Sequence, residues 1–152
     1  MKVLFLDFDG VLNSRRYLRT ADPYGVALDP TRMELLEQIV AATDARIVLT
    51  TSWRVHWEPD PATCNDTGRE IHAIFARHGL SILDKTPQLP QGREQEIRCW
   101  LEQHPETTTY VVLDDRLLGA DFLADHFVMT ANHRDGLDQA DVQKTITLLN
   151  TI

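Results

Sequence analysis

Four aspartates fall in two tight pairs where apolar runs end. "VLFLDFDG" (3–10) carries Asp7 and Asp9, and "TYVVLDD" (109–115) closes on Asp114 and Asp115. A third run, "ARIVLTTS" (45–52), ends in three hydroxyls, Thr50, Thr51 and Ser52. Carboxylates two apart on an extended strand point the same way, and like charges held together repel. A proton, a bound cation or a basic side chain relieves that repulsion. Clustered hard oxygens suit Mg²⁺, which takes one or two carboxylates and leaves its other positions to water or a substrate phosphate. Gly10, directly behind the first pair, allows a sharp turn or a close approach to a ligand.

These groups need a frame that brings distant runs together. The spacing predicts buried strands over 2–8, 45–52, 80–84, 109–115 and 126–130. Between them lie helical patterns. Asp29 and Pro30 supply an N-cap and a first-turn proline, and Met33, Leu36, Ile39 and Val40 recur at helical spacing. "TGREIHAIFARHG" (67–79) sets Ile71, Ile74 and Phe75 on one face, with Gly79 as its stop. Residues 93–104 bury Ile97, Trp100 and Leu101 before Pro105, and a last helix starts at Asp138. Strands alternating with helices predict βαβ units: a three-layer α/β/α, Rossmann-like fold around a five-stranded, mainly parallel sheet. In such sheets ligands bind at the carboxyl ends of the strands, where all four aspartates and the three hydroxyls fall. Arg93 opens a predicted helix, where a cation is mildly unfavourable, and that mismatch points to a functional use.

The 152 residues fit one domain, 1–152, with 43% hydrophobic and 25% charged residues. A net charge of -8 argues against general nucleic-acid binding or attraction to an anionic membrane. The basic residues are twelve Arg against three Lys, and Arg presents a planar fork that matches phosphate oxygens. Cys64 and Cys99 form neither a CxxC pair nor a disulfide framework. The first apolar run is too short for a signal peptide or a membrane span, so a reducing, cytoplasmic setting is expected. The six histidines show no metal-ligand spacing. Arg15, Arg16 and Arg19 follow the first strand closely enough to contact a substrate, and Trp53, Trp57 and the loop 58–66 are placed to border the opening.

"DFDGVLN", "LTTSWR", Arg93 near a helix start and "VVLDD" resemble, in order, the four motifs of the haloacid dehalogenase superfamily of phosphohydrolases. The resemblance implies Asp7 as the nucleophile that attacks phosphorus and Asp9 as the general acid and base. It implies Mg²⁺ held by Asp7, by the backbone carbonyl of Asp9, and by Asp115 or Asp114. It further implies that Thr51, or Thr50 if the strand register shifts by one, bonds the transferring phosphoryl. Ser52, Gly10 and Arg54 are expected near the substrate. Arg93 stands where lysine is commoner, and Lys85 is the competing cation.

No large cap domain fits between these motifs. In the superfamily an open site often implies a macromolecular substrate, such as a phosphoprotein or a polynucleotide end. "DGVLN", "SWR", "REQEIRCWL", "LDD" and "DGLDQADV" together look most like a small branch whose relatives occur as domains of RNA-repair proteins. The expected activity is therefore a Mg²⁺-dependent phosphatase. The alternatives are a catalytically silent phosphate- or metal-binding module, or a receiver-like signalling domain.

Overall fold

Each of the five apolar runs becomes a strand in one sheet, seen in a computed structural model that describes residues 1–151. The strands are β1 (Lys2–Leu6), β2 (Arg46–Leu49), β3 (Ile82–Lys85), β4 (Thr109–Asp114) and β5 (Phe127–Met129). They lie in the order β3-β2-β1-β4-β5, and every neighbouring pair is parallel. The helices are a one-turn α1 (Arg15–Leu18), α2 (Pro30–Thr43), α3 (Asp66–Arg77), α4 (Arg93–Glu102) and α5 (Gln139–Asn150).

Strand period two divides the core. Leu4 and Leu6 face Met33, Leu36 and Ile39 of α2, Ile71 and Phe75 of α3, and Val142 and Leu149 of α5. Val3 and Phe5 face the other way, onto Ile97 and Trp100 of α4 and Leu123. Both faces are covered, which is why these strands read as unbroken apolar runs. The expected caps form: Asp29 accepts from Thr31 N–H ahead of Pro30, and Asp138 and Asp141 make a reciprocal capping box on α5.

The strands stop sooner than the sequence patterns suggest. β1 ends at Leu6 and β2 at Leu49, because Thr51 caps a 3₁₀ turn over Ser52–His56. The segments 7–29 and 50–81 hold no cap domain among the described residues. Nor is any described helix long and apolar enough to cross a membrane.

The register decides what meets at the rim. Leu6 pairs with both Leu49 and Leu113, so the next residue of each strand falls in one row: Asp7, Thr50 and Asp114. That row lies at the carboxyl edge, beside the point where the chain order reverses across β1 and β4. Ligands bind there in open α/β sheets.

Candidate active site

Asp7 is buried at the head of this row. Its Oδ1 accepts from Phe8 N–H at 2.9 Å, and its Oδ2 accepts from Arg93 Nη1 at 2.9 Å. The same Nη1 reaches Asp114 Oδ2 at 2.7 Å. Asp114 is fully buried, and its Oδ1 accepts from Arg116 N–H at 2.9 Å. Carboxylate oxygens of Asp7, Asp114 and Asp115 all lie within 4.8 Å of one another. Three hard-oxygen donors, opening onto a shared pocket through Asp7 and Asp115, are a donor set that fits Mg²⁺. Both Asp114 oxygens already hold N–H donors. Asp115 is freer: its Oδ2 accepts from Asn132 Nδ2 at 3.2 Å.

The electrostatics follow from this crowding. Burial pushes the Asp7 carboxyl up to about 6; Arg93 pulls it down, and Asp114 pushes it up again. Burial and Asp114 also raise Asp115. Burial opposes the charge on Arg93, but the two aspartates outweigh it and raise its pKa. A carboxyl raised on folding binds more protons folded than unfolded. Its stabilising contribution is complete near pH 4 and is lost as pH rises through about 6. Metal-free Asp7→Asn should therefore melt a few degrees above the parent at pH 7.5, a gain on the order of 1–3 kcal/mol. The difference should shrink towards pH 4. Paired melting curves in EDTA check this, and an advantage independent of pH would contradict it.

Asp9 is exposed and stands apart from the three-carboxylate group. Its Oδ1 accepts from Asn13 Nδ2 at 3.1 Å, and its Oδ2 from Trp53 Nε1 at 3.2 Å. It still shares one pocket with Asp7, Ser52, Arg93, Asp115 and Arg116. Phe8 between the two aspartates is buried in the core.

Gly10 works through its shape. Its φ of +81° turns the chain, and a Cβ there would overlap the Asp115 carboxyl. Its N–H is spent on Asn13 Oδ1 at 3.0 Å rather than held out to a substrate. Gly10→Ala is expected to cost more than about 1 kcal/mol. It should also displace Asp115, so that added Mg²⁺ no longer raises the melting temperature. An unchanged Mg²⁺ response would show that Asp115 tolerates the methyl group.

Among the hydroxyls, Thr50 continues the ladder beside Asp7, its N–H donating to Leu6 O at 3.0 Å. Its buried Oγ1 has no partner among the described residues. Thr51 Oγ1 instead accepts from Trp53 N–H at 3.3 Å to cap the 3₁₀ turn. Ser52 is exposed at the pocket. Placement therefore favours Thr50 over Thr51 as the hydroxyl beside Asp7. Between the two cations, Arg93 lies with the aspartates. Lys85 donates to the carbonyls of Arg54 and Trp57 and to Glu58, away from them.

Arg54 corrects an expectation. It is buried, and all five of its N–H donors are used: by the carbonyls of Thr50, Thr51, Thr86 and Pro87, and by Glu96. It braces the loops beneath the site and has no donor to offer a substrate. Trp57 likewise is fully buried in the core rather than bordering the opening. Arg16 pairs with Asp135, whereas Arg15 lines an open groove beside Asp115 with Asn132 and His133. His104 and His126 stack on Trp100 and Tyr110 and belong to no metal-like cluster among the described residues. Sequence reasoning missed Asn13 and Asn132, which hold Asp9 and Asp115. Asn13 carried a faint signal, three residues past Gly10 in a turn; Asn132 carried none.

A parallel sheet in this strand order, with an aspartate after its central strand and an Arg-bridged acidic cluster beside it, defines a small haloacid dehalogenase (HAD) domain. Residues 3–142 match the family described as "HAD domain in Swiss Army Knife RNA repair proteins", and the chain belongs to that family. No curated protein matches the sequence. Membership places the chain among phosphohydrolase-type domains.

Proposed function

We propose that this protein is a Mg²⁺-dependent phosphomonoester hydrolase that works through an aspartyl-phosphate on Asp7, with a polynucleotide end as its substrate. One observation carries this reading. The Asp7–Arg93–Asp114 cluster sits at the carboxyl edge with two buried polar atoms still unpartnered, Thr50 Oγ1 and Arg93 Nε. Both are donors that lack an acceptor here, and an incoming phosphoryl group offers oxygens of the kind they need.

Asp7, Asp115 and the carbonyl of Asp9 would hold Mg²⁺, which when bound supplies positive charge against the phosphoryl oxygens. Asp7 attacks phosphorus in line, and the bond to the leaving oxygen breaks as Asp9 gives that oxygen its proton. Asp9, now a carboxylate, takes a proton from a water that attacks the aspartyl-phosphate. Phosphate leaves and Asp7 is restored. Arg93 and Thr50 donate to the equatorial oxygens throughout, and Asp114 holds Arg93 in place. Asn13 and Trp53 hold the Asp9 carboxyl at the pocket edge.

The polynucleotide end rests on the open site and on the family's description. A screen with and without Mg²⁺ across 3′- and 5′-phosphorylated oligonucleotides, nucleotides, sugar phosphates and phosphopeptides tests it. Mg²⁺-dependent release of phosphate, fastest from oligonucleotide ends, is expected. Preference for a phosphopeptide or a small sugar phosphate would remove the polynucleotide, and phosphate binding without turnover on any substrate would remove the enzyme.

A further inference from the structure

Asp9 borders two hollows. One is the polar pocket it shares with Asp7, Arg93 and Asp115; the other is lined largely by the segment 18–28. Phe8, Leu18, Pro23, Val26, Leu28 and Trp53 give this second cavity apolar walls, and its volume is about 140 Å³. A cavity of about 150 Å³ accommodates one benzene ring. The Trp53 indole joins the two hollows, lining the cavity while its Nε1–H bonds Asp9 Oδ2 at 3.2 Å.

We propose that this cavity receives the leaving group, and that it is shaped for the single-ring base of a terminal pyrimidine nucleoside. The inference rests on the phosphatase reading, because a general acid must lie within hydrogen-bond reach of the departing oxygen, so the leaving group passes beside Asp9. With phosphorus beside Asp7, the departing alcohol lies next to Asp9, the residue that borders both hollows. Two features favour a base over a plain phenyl ring. Asp22 lines the cavity, and its Oδ1 accepts from Tyr24 N–H at 2.9 Å while its Oδ2 has no donor among the described residues. That oxygen suits the amino group of cytosine or the ring N–H of uracil. Trp53, only partly buried, supplies aromatic surface of the kind on which bases stack.

The test compares kcat/KM for 3′- and 5′-UMP, ribose 5-phosphate and a phosphotyrosine peptide, and titrates the ¹⁵N-labelled protein with uridine and with ribose. UMP should exceed ribose 5-phosphate by about tenfold or more, the range that base stacking supplies. Ala21→Phe, which fills the cavity, should bring that ratio to about one. Uridine, but not ribose, should shift the Trp53 indole N–H resonance. Equal rates on UMP and ribose 5-phosphate would overturn the proposal, as would a phosphotyrosine peptide preferred over UMP or an unmoved Trp53 resonance. If none of these phosphates is hydrolysed, the oligonucleotide screen above decides the phosphatase reading. The uridine titration, which needs no turnover and no variant, then decides alone whether the cavity takes a ring.

Discussion

Asp7→Asn is expected to abolish turnover, by about 10⁴-fold or more, while leaving a protein that folds at least as well as its parent. Loss of an attacking group removes the covalent route entirely, and single nucleophile knockouts elsewhere reach losses of that order and beyond. Arg93 keeps Asp114 as a partner, while the amide keeps the size of the carboxylate, and its one oxygen can accept from either Phe8 N–H or Arg93. Its nucleophilicity is gone. Folding should not suffer, because burial already pushes the Asp7 carboxyl up to about 6, so its charge costs stability at neutral pH. Activity and stability thus move in opposite directions at one residue, as expected where a site carries strain for function. Asp9→Asn should behave differently. A substrate with a good leaving group needs little protonation, so the first step should survive on an aryl phosphate while the second stalls. Steady-state assays on aryl and alkyl phosphates, with melting curves, separate the two variants. Comparable activity in Asp7→Asn and the parent would refute the assignment of the nucleophile.

Glu96→Ala should destabilise the fold by about 3–5 kcal/mol, a large share of the ~5–15 kcal/mol that holds a typical domain together. Arg54 Nη2 and Glu96 Oε2 are 2.7 Å apart, with side chains only 6% and 7% exposed. Removing the carboxylate leaves a buried guanidinium without its counter-charge and strips Leu89 N–H of its acceptor at 2.8 Å. The damage should reach the site, because Arg54 ties the carbonyls of Thr50 and Thr51 to the α4 helix that carries Arg93. Glu96→Gln keeps an acceptor and should lose less. Urea unfolding midpoints measure both, and a midpoint for Glu96→Ala within error of the parent would show the pair to be dispensable.

The contrast between Arg54 and Arg93 shows what the chain reveals when read alone. Strands and helices were legible because each apolar run is buried on both faces and each helix repeats its apolar residues at its own period. Boundaries were less so. β2 gives way after Leu49 to a turn with a hydroxyl cap, and Thr is favoured both in strands and in caps. Arg93 stood out because a cation in a helix's first turn conflicts with local preference. Arg54 directly follows a hydroxyl cluster at a strand end, so it read as a pocket residue. Its true partner, Glu96, lies 42 residues away on another helix, and nothing local marks the pair. The choice between Thr50 and Thr51 turned on register: only the alignment of Leu6 with Leu49 places Thr50 in the row of Asp7.

The covalent step is open to direct observation. Asp9→Asn, mixed with an aryl phosphate and Mg²⁺, quenched in acid within the first turnover and digested, can be mapped by peptide mass spectrometry. The expected result is one phosphoryl group on Asp7, formed only with Mg²⁺ and absent from the Asp7→Asn, Asp9→Asn double variant. Phosphoryl on a different residue, or release of the aryl alcohol with none on the protein at any time, would contradict catalysis through Asp7.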